Sequence, residues 1–210
     1  METGVTGGAL RVVQHSAART RVLDAALDLF AEHGVSGTSL QMIADAVGIT
    51  KAAVYHQFRT KQRIVLAVTE RELGRLEPAL AEAEAHGEGR QARDALLIRV
   101  VEMAVRDRRL VRTLQFDPVV VRLLAEHEPF QRFMERLYRV LLGDAGLDGR
   151  IEAAMFSGAI SSAVMHPLVA DIDDDTLLAR LTELSRRLLG LHEVGGADGA
   201  TAVGKSGYFG

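Results

Sequence analysis

The sequence predicts an all-α protein in two parts, a small helical head followed by a larger helical body. Three observations carry that expectation. Apolar residues recur at helical spacing along most of the 210 residues, no stretch alternates as a strand would, and Gly, Pro and Asp clusters punctuate the helical runs. A composition of 48% hydrophobic and 25% charged residues supplies ample material for a buried core. No run approaches the ~18 apolar residues of a membrane span. The start, METGVTGGAL, has neither the basic nor the apolar region of a secretion signal. Without cysteine there are no disulfides, thiol nucleophiles or cysteine metal sites. A cytoplasmic protein with no membrane partner and no cofactor is the expectation.

Residues 1–15 read as a flexible arm. The first helix is RTRVLDAALDLFAEHG, with Val22, Ala26, Leu29 and Phe30 on one face and Gly34 placed to end it. In TSLQ, Thr38 can cap the second helix while Gln41 reaches back, a capping box. That helix stops near Gly48. Thr50 can cap a third, KAAVYHQF, and Thr60 a fourth that begins KQRIVLAV. Longer helices follow, with breaks near AHGEG, QFDP, EHEP, GDAGLDG and PLVADIDDD. Domain boundaries are expected at 16–66 for the head and 67–192 for the body, and the Gly-rich tail 193–210 reads as disordered.

Residues 38 to 58, TSLQMIADAVGITKAAVYHQF, carry the clearest functional pattern. Two short helices flank a tight turn. Ala44 is small enough for the second helix to cross closely, Gly48 permits the turn, and Val54 locks the second helix down, with Ile43, Val47, Ile49 and Phe58 as further buried positions. That is what a helix-turn-helix needs. The exposed part of the second helix then offers Thr50, Lys51, Ala52, Ala53, Tyr55 and His56. Short side chains let it sink into a major groove, where Lys51 and Thr50 reach base edges or phosphates. Tyr55 and Lys61 are placed as phosphate donors, and the backbone N–H groups from Thr38 and Ser39 onward can hold another phosphate. Charge agrees with one-ended contact to double-stranded DNA: eight basic against five acidic residues lie between Arg11 and Arg71, in a chain of net charge −3.

The run GTSLQMIADAVGITKAAVYHQFRTKQRI, preceded by an apolar helix ending in Gly, resembles the DNA-binding head of the TetR family of bacterial transcription regulators. The paired Val54 and Tyr55, the following Phe58, and Lys61 opening the next helix carry the likeness. Gln57 departs from it, standing where an apolar residue is expected. The resemblance implies a non-enzymatic homodimer that sets two heads on one palindromic operator. It also implies a helical ligand-binding and dimerisation domain, with the last two long helices building a four-helix interface and a small-molecule effector releasing DNA.

Within the body, Met103, Phe116, Met134, Tyr138 and Met155, with Phe156 and Met165, suit the lining of an apolar ligand pocket, though such residues also fill any helical interior. The stripe Ile151, Met155, Gly158, Ser162, Met165 permits close helix approach, and Leu177, Leu181, Leu184 and Leu188 form a leucine seam. A core within one chain explains either as well as a dimer interface does. His15, His33, His56, His86, His127, His166 and His192 show no metal-ligand spacing, and the acidic run Asp171, Asp173, Asp174, Asp175 reads as helix capping and dipole compensation. No metal is expected.

Two nucleotide-binding strings compete with this reading. GATAVGKS, Gly199 to Ser206, fits the phosphate-loop pattern at every fixed position and would make the chain a nucleotide-binding enzyme. The chemistry needs a buried strand before the loop and a helix after it, and only four residues follow Ser206. GEGRQA, from Gly87 to Ala92, matches a dinucleotide fingerprint but follows a helical composition rather than a strand, so it reads as an interhelical loop. A regulator that needs no ligand is the other alternative.

Overall fold

The computed structural model describes residues 16–86, 89–143 and 146–191. Among them the chain is helical throughout, with no strand. The head holds α1 (Ala17–Gly37), α2 (Leu40–Val47), α3 (Lys51–Gln57) and α4 (Lys61–Leu73). The body follows as α5 (Glu77–Ala85), α6 (Arg90–Arg106), α7 (Arg108–Val111), α8 (Pro118–Ala125), α9 (Glu128–Leu142), α10 (Leu147–Met165) and α11 (Asp174–Leu188). A π-helical turn, Arg112–Phe116, joins α7 to α8. GATAVGKS, Gly87, His15, His192, the arm and the tail lie outside the described residues.

The head closes on one core. Val22, Ala26 and Phe30 of α1 are buried against Ile43 and Ala44 of α2, Val54 of α3 and Ile64 of α4. Gly34 breaks α1 with φ of 71°, and Gly48 turns α2 into α3 with φ of 73°. Both angles lie in the left-handed region where a side chain is strained. The boundary expected between residues 66 and 67 falls inside α4. Its Ala67 and Val68 still belong to the head core, whereas Leu73 belongs to that of the body.

The body core forms around α6, with Leu96, Leu97 and Val101 fully buried against Phe133 and Leu141 of α9 and Phe156 and Ile160 of α10. Arg136 of α9 ties down α5 by bonding Glu77 and Glu84, each at 2.6 Å. That bond to the guanidinium holds the Glu84 carboxyl below its usual range. The acidic run acts at the start of α11: the Asp173 side chain accepts from the Thr176 amide at 2.9 Å, while Asp174 and Asp175 pair with Arg108 and Arg106. The helix α5 precedes GEGRQA, so no strand leads into it.

Head and body share packing. Leu110, Val120 and Leu124 from the body are buried in the head core, and Met103, Leu114 and Phe130 touch both clusters. Arg109 pairs with Asp28 of α1. The most specific link is Asp117. One of its carboxylate oxygens caps α8 through the amides of Val119 (2.9 Å) and Val120 (3.2 Å), and the other accepts the Val35 amide at 2.7 Å. Val35 sits just past the break in α1 and is buried. Removing the carboxylate orphans that amide. Asp117→Ala is therefore expected to speed hydrogen exchange at Val35 about tenfold or more, the worth of a hydrogen bond to a charged group. Native-state exchange read at single residues checks this, and unchanged protection at Val35 would refute the link.

Candidate nucleic-acid interface and body cavity

The third helix presents the residues that the sequence singles out. Val54 is fully buried and fixes its rotation. Lys51, Ala52, Tyr55 and His56 then point outward, and Ala53 is half-buried. The Thr50 hydroxyl caps the helix by accepting from the Ala53 amide at 3.1 Å, so it faces the same end as Lys51. Arg59 lies over the Tyr55 ring, 5.7 Å from its centroid, and Arg19 lies over Phe58 at 4.6 Å. The first of these stiffens an exposed side chain beside a second positive charge. Gln57 is half-buried with its carbonyl oxygen unpaired, as an apolar position filled by an amide would be.

Two expected phosphate contacts change role. Thr38 does not cap α2. It is buried, and its hydroxyl donates to the carbonyls of Leu29 (3.1 Å) and Gly34 (2.8 Å). Ser39 is the cap instead, accepting from the Met42 amide at 3.1 Å, and Gln41 bonds Asp45 rather than reaching back. There is no capping box. The helix N-terminus itself is still formed at Ser39, and its first amides have no intrahelical partner.

Lys61 is likewise spent inside. Its ammonium donates to the carbonyls of Val35 (2.7 Å), Ser36 (3.3 Å) and Thr38 (2.7 Å), which uses all three of its donors. It braces the turn between α1 and α2 instead of facing a phosphate.

A cavity of about 120 Å3 opens in the body between α6, α9, α10 and the π-helical turn. Met103, Met134 and Tyr138 line it, as do Phe156 and Ile160. Phe116 and Met155, expected there, lie outside it with 51% and 69% of their surface exposed. The reason is helical phase. On α10 the buried face runs through Ala153, Phe156, Ile160 and Val164, which places Met155 on the opposite side.

That opposite side is an uncovered stripe: Leu147, Ile151, Met155, Gly158 and Ser162 are all exposed, while Met165 is half-buried against the core. The leucine seam of α11 divides. Leu177 is buried and Leu181 packs on the core, but Leu184 and Leu188 are 52% and 72% exposed. The face turned to α6 runs through Leu178, Thr182, Ser185 and Leu189, and the small Thr182 and Ser185 are buried there. The seam therefore lies on the flank of the packed face.

The head has relatives that decide its kinship. Residues 22–68 match the family model for bacterial regulatory proteins of the tetR family. The head belongs to the TetR family. The chain is 36% identical over 94 residues to the HTH-type transcriptional regulator AcrR of Shigella flexneri, covering 43% of each chain. It is 46% identical over 50 residues to the HTH-type transcriptional repressor KstR2 of Rhodococcus jostii, covering 24% of each. The chain thus matches less than half the length of these curated relatives. The fold extends further. A tetR-family regulatory protein from Rhodococcus RHA1 aligns over 83% of this chain and 98% of its own with a TM-score of 0.63 at 19% identity. The regulator FadR of Bacillus subtilis, solved with stearoyl-CoA, aligns over 82% and 96% with a TM-score of 0.61 at 19% identity. The head has the helix-turn-helix of that family, and the all-helical body follows the architecture of these solved structures.

The reassignment of Lys61 within that head is measurable without DNA. Lys61→Met leaves three carbonyls of a partly buried turn unpaired and should cost about 1–3 kcal/mol. Lys51→Ala, on the exposed face, should leave stability unchanged. Thermal unfolding of the two variants compares them directly; equal midpoints would mean that Lys61 does not brace the turn.

Proposed function

We propose that the chain is a transcriptional regulator, a repressor that binds a palindromic operator as a homodimer and is released by a small apolar molecule. The observation that carries this reading is α3: a short helix anchored by Val54, capped by Thr50, with Lys51, Ala52, Tyr55 and His56 on its free face. Thr50 and Lys51 meet base edges or phosphates, Ala52 and Ala53 allow close approach to the groove, and Tyr55 backed by Arg59 holds the DNA backbone. The amides following Ser39 supply a second phosphate contact at the start of α2. The curated relatives are named as transcriptional regulators and repressors, which supports regulation over catalysis.

The homodimer is supported by the uncovered stripe of α10 beside Leu184 and Leu188 of α11. A second copy laid against it gives the four-helix arrangement and sets two heads side by side. The body cavity is the effector compartment, and the stearoyl-CoA bound by the FadR neighbour supports a ligand-binding body. We place the passage from head to body within α4, between Val68 and Leu73, and the protein in the cytoplasm.

Release follows from linkage, since an effector shifts the equilibrium only by binding the DNA-incompetent conformation more tightly. The π-helical turn gives it a route. Leu114 and Gln115 of that turn line the cavity, the turn ends at Asp117, and Asp117 holds Val35. A displaced turn therefore moves the backbone that Lys61 also grips.

Selection of bound sequences from random DNA tests the proposal, and the recovered site should be an inverted repeat. On that site Lys51→Ala should weaken binding and lower the slope of log affinity against log salt by about 1, as the loss of one phosphate contact does. Tyr55→Phe should also weaken binding while the dimer persists. Failure to select any sequence, or unchanged affinity in both variants at moderate salt, would count against it.

A further inference from the structure

The residues around the body cavity specify the chemistry of what enters it. Among the described residues lining it there is no charged side chain. An ion brought in without a partner would pay the full desolvation cost, which polar groups alone do not return. The polar lining groups are few, and three of them meet. The Gln115 amide donates to the Ser157 hydroxyl at 3.1 Å, and the Tyr138 hydroxyl lies beside Ser157. Burial pushes the Tyr138 phenol up, the neighbouring Ser157 hydroxyl offsetting this only in part, so it stays a neutral hydrogen-bonding group.

These three residues come from different elements: Gln115 from the π-helical turn, Tyr138 from α9 and Ser157 from α10. Gln115 is exposed, Ser157 half-buried, and the bond between them spans from the surface into the cavity. Single π-helical turns are often found at functional sites. In this one the Thr113 hydroxyl is also buried without a partner, so the closed turn leaves a polar group unsatisfied. The remaining walls are apolar, and Met103 and Met134 are side chains that repack around irregular shapes.

Volume sets the scale. A cavity of about 120 Å3 is close to the apolar cavities of ~150 Å3 that admit benzene. An anionic headgroup finds no cation among the described residues lining it.

We infer that the cavity takes an uncharged molecule the size of a monosubstituted benzene, whose single hydroxyl or carbonyl bonds Ser157 and Tyr138 and displaces the Gln115 amide. This rests on the reading of the body as an effector compartment and names the class of effector. The displaced Gln115 frees the turn that ends at Asp117.

Three probes of one size and different charge test it: benzyl alcohol, benzoate and benzylamine at neutral pH, each added to the full chain without DNA. Saturation-transfer NMR and titration read binding. Benzyl alcohol should bind at least about tenfold more tightly than either ion. Ser157→Ala should weaken the alcohol about fivefold to tenfold, the worth of one hydrogen bond. Tyr138→Phe, which keeps the ring, serves the same comparison should Ser157→Ala fold poorly. Equal binding of benzoate or benzylamine, no binding of any probe, or unchanged alcohol affinity in the variant would each overturn the inference. Operator affinity of the ligand-free protein is measured separately, and its loss would speak against the regulator and not against the cavity's chemistry.

Discussion

The five residues from Gly34 to Thr38 are held by two side chains that come from elsewhere and by the hydroxyl of Thr38 itself. Where the chain leaves its helix and stays buried, as at Val35 and Thr38, its amide and carbonyl groups need other partners. Here Asp117 takes the Val35 amide, Lys61 takes the carbonyls of Val35, Ser36 and Thr38, and the Thr38 hydroxyl takes those of Leu29 and Gly34. The angle at which α2 leaves α1 depends on those bonds. So does the position of α3, which is carried by α2 through the turn at Gly48. A charge of each sign grips the same short segment, the negative one from the body and the positive one from the head.

This arrangement makes Val35 a point that the body can move. Around it the contact between head and body is mostly apolar, with Leu110, Val120 and Leu124 buried among head residues. Such packing resists separation but tolerates sliding. The Asp117 bond is directional and sets register. The π-helical turn that precedes it forms part of the cavity wall, which puts the cavity and the Val35 segment of the head on either side of one carboxylate.

Much of this was legible in the sequence. Helical spacing gave the all-α architecture, and Val54, Ala44 and Gly48 marked the helix-turn-helix through residue types that the turn physically requires. The misplacements have physical reasons. Thr38 and Ser39 are adjacent hydroxyl residues, either of which can cap; burial of the first against α1 decided between them, and no local pattern reports burial. Lys61 reads as a free charge because its three acceptors lie more than twenty positions upstream. Asp117 was visible only as part of a break. An Asp before a Pro does signal a helix start, but its bond to Val35 spans 82 residues. Phe116 and Met155 were chosen by size and polarity; helical phase placed Met155 outside, and Phe116 lies exposed at the end of the π-helical turn.

In the proposed homodimer the uncovered stripe on α10 would link folding to abundance. Leu147, Ile151 and Met155 present apolar surface that water does not reward. In the proposed homodimer a second copy would cover it, and the folded state would gain free energy that depends on how many copies are present. Such a protein is more vulnerable to unfolding and proteolysis when scarce, and sturdier when plentiful. Its cellular level would then fall faster than dilution alone dictates, so a regulator built this way clears sharply once its synthesis stops.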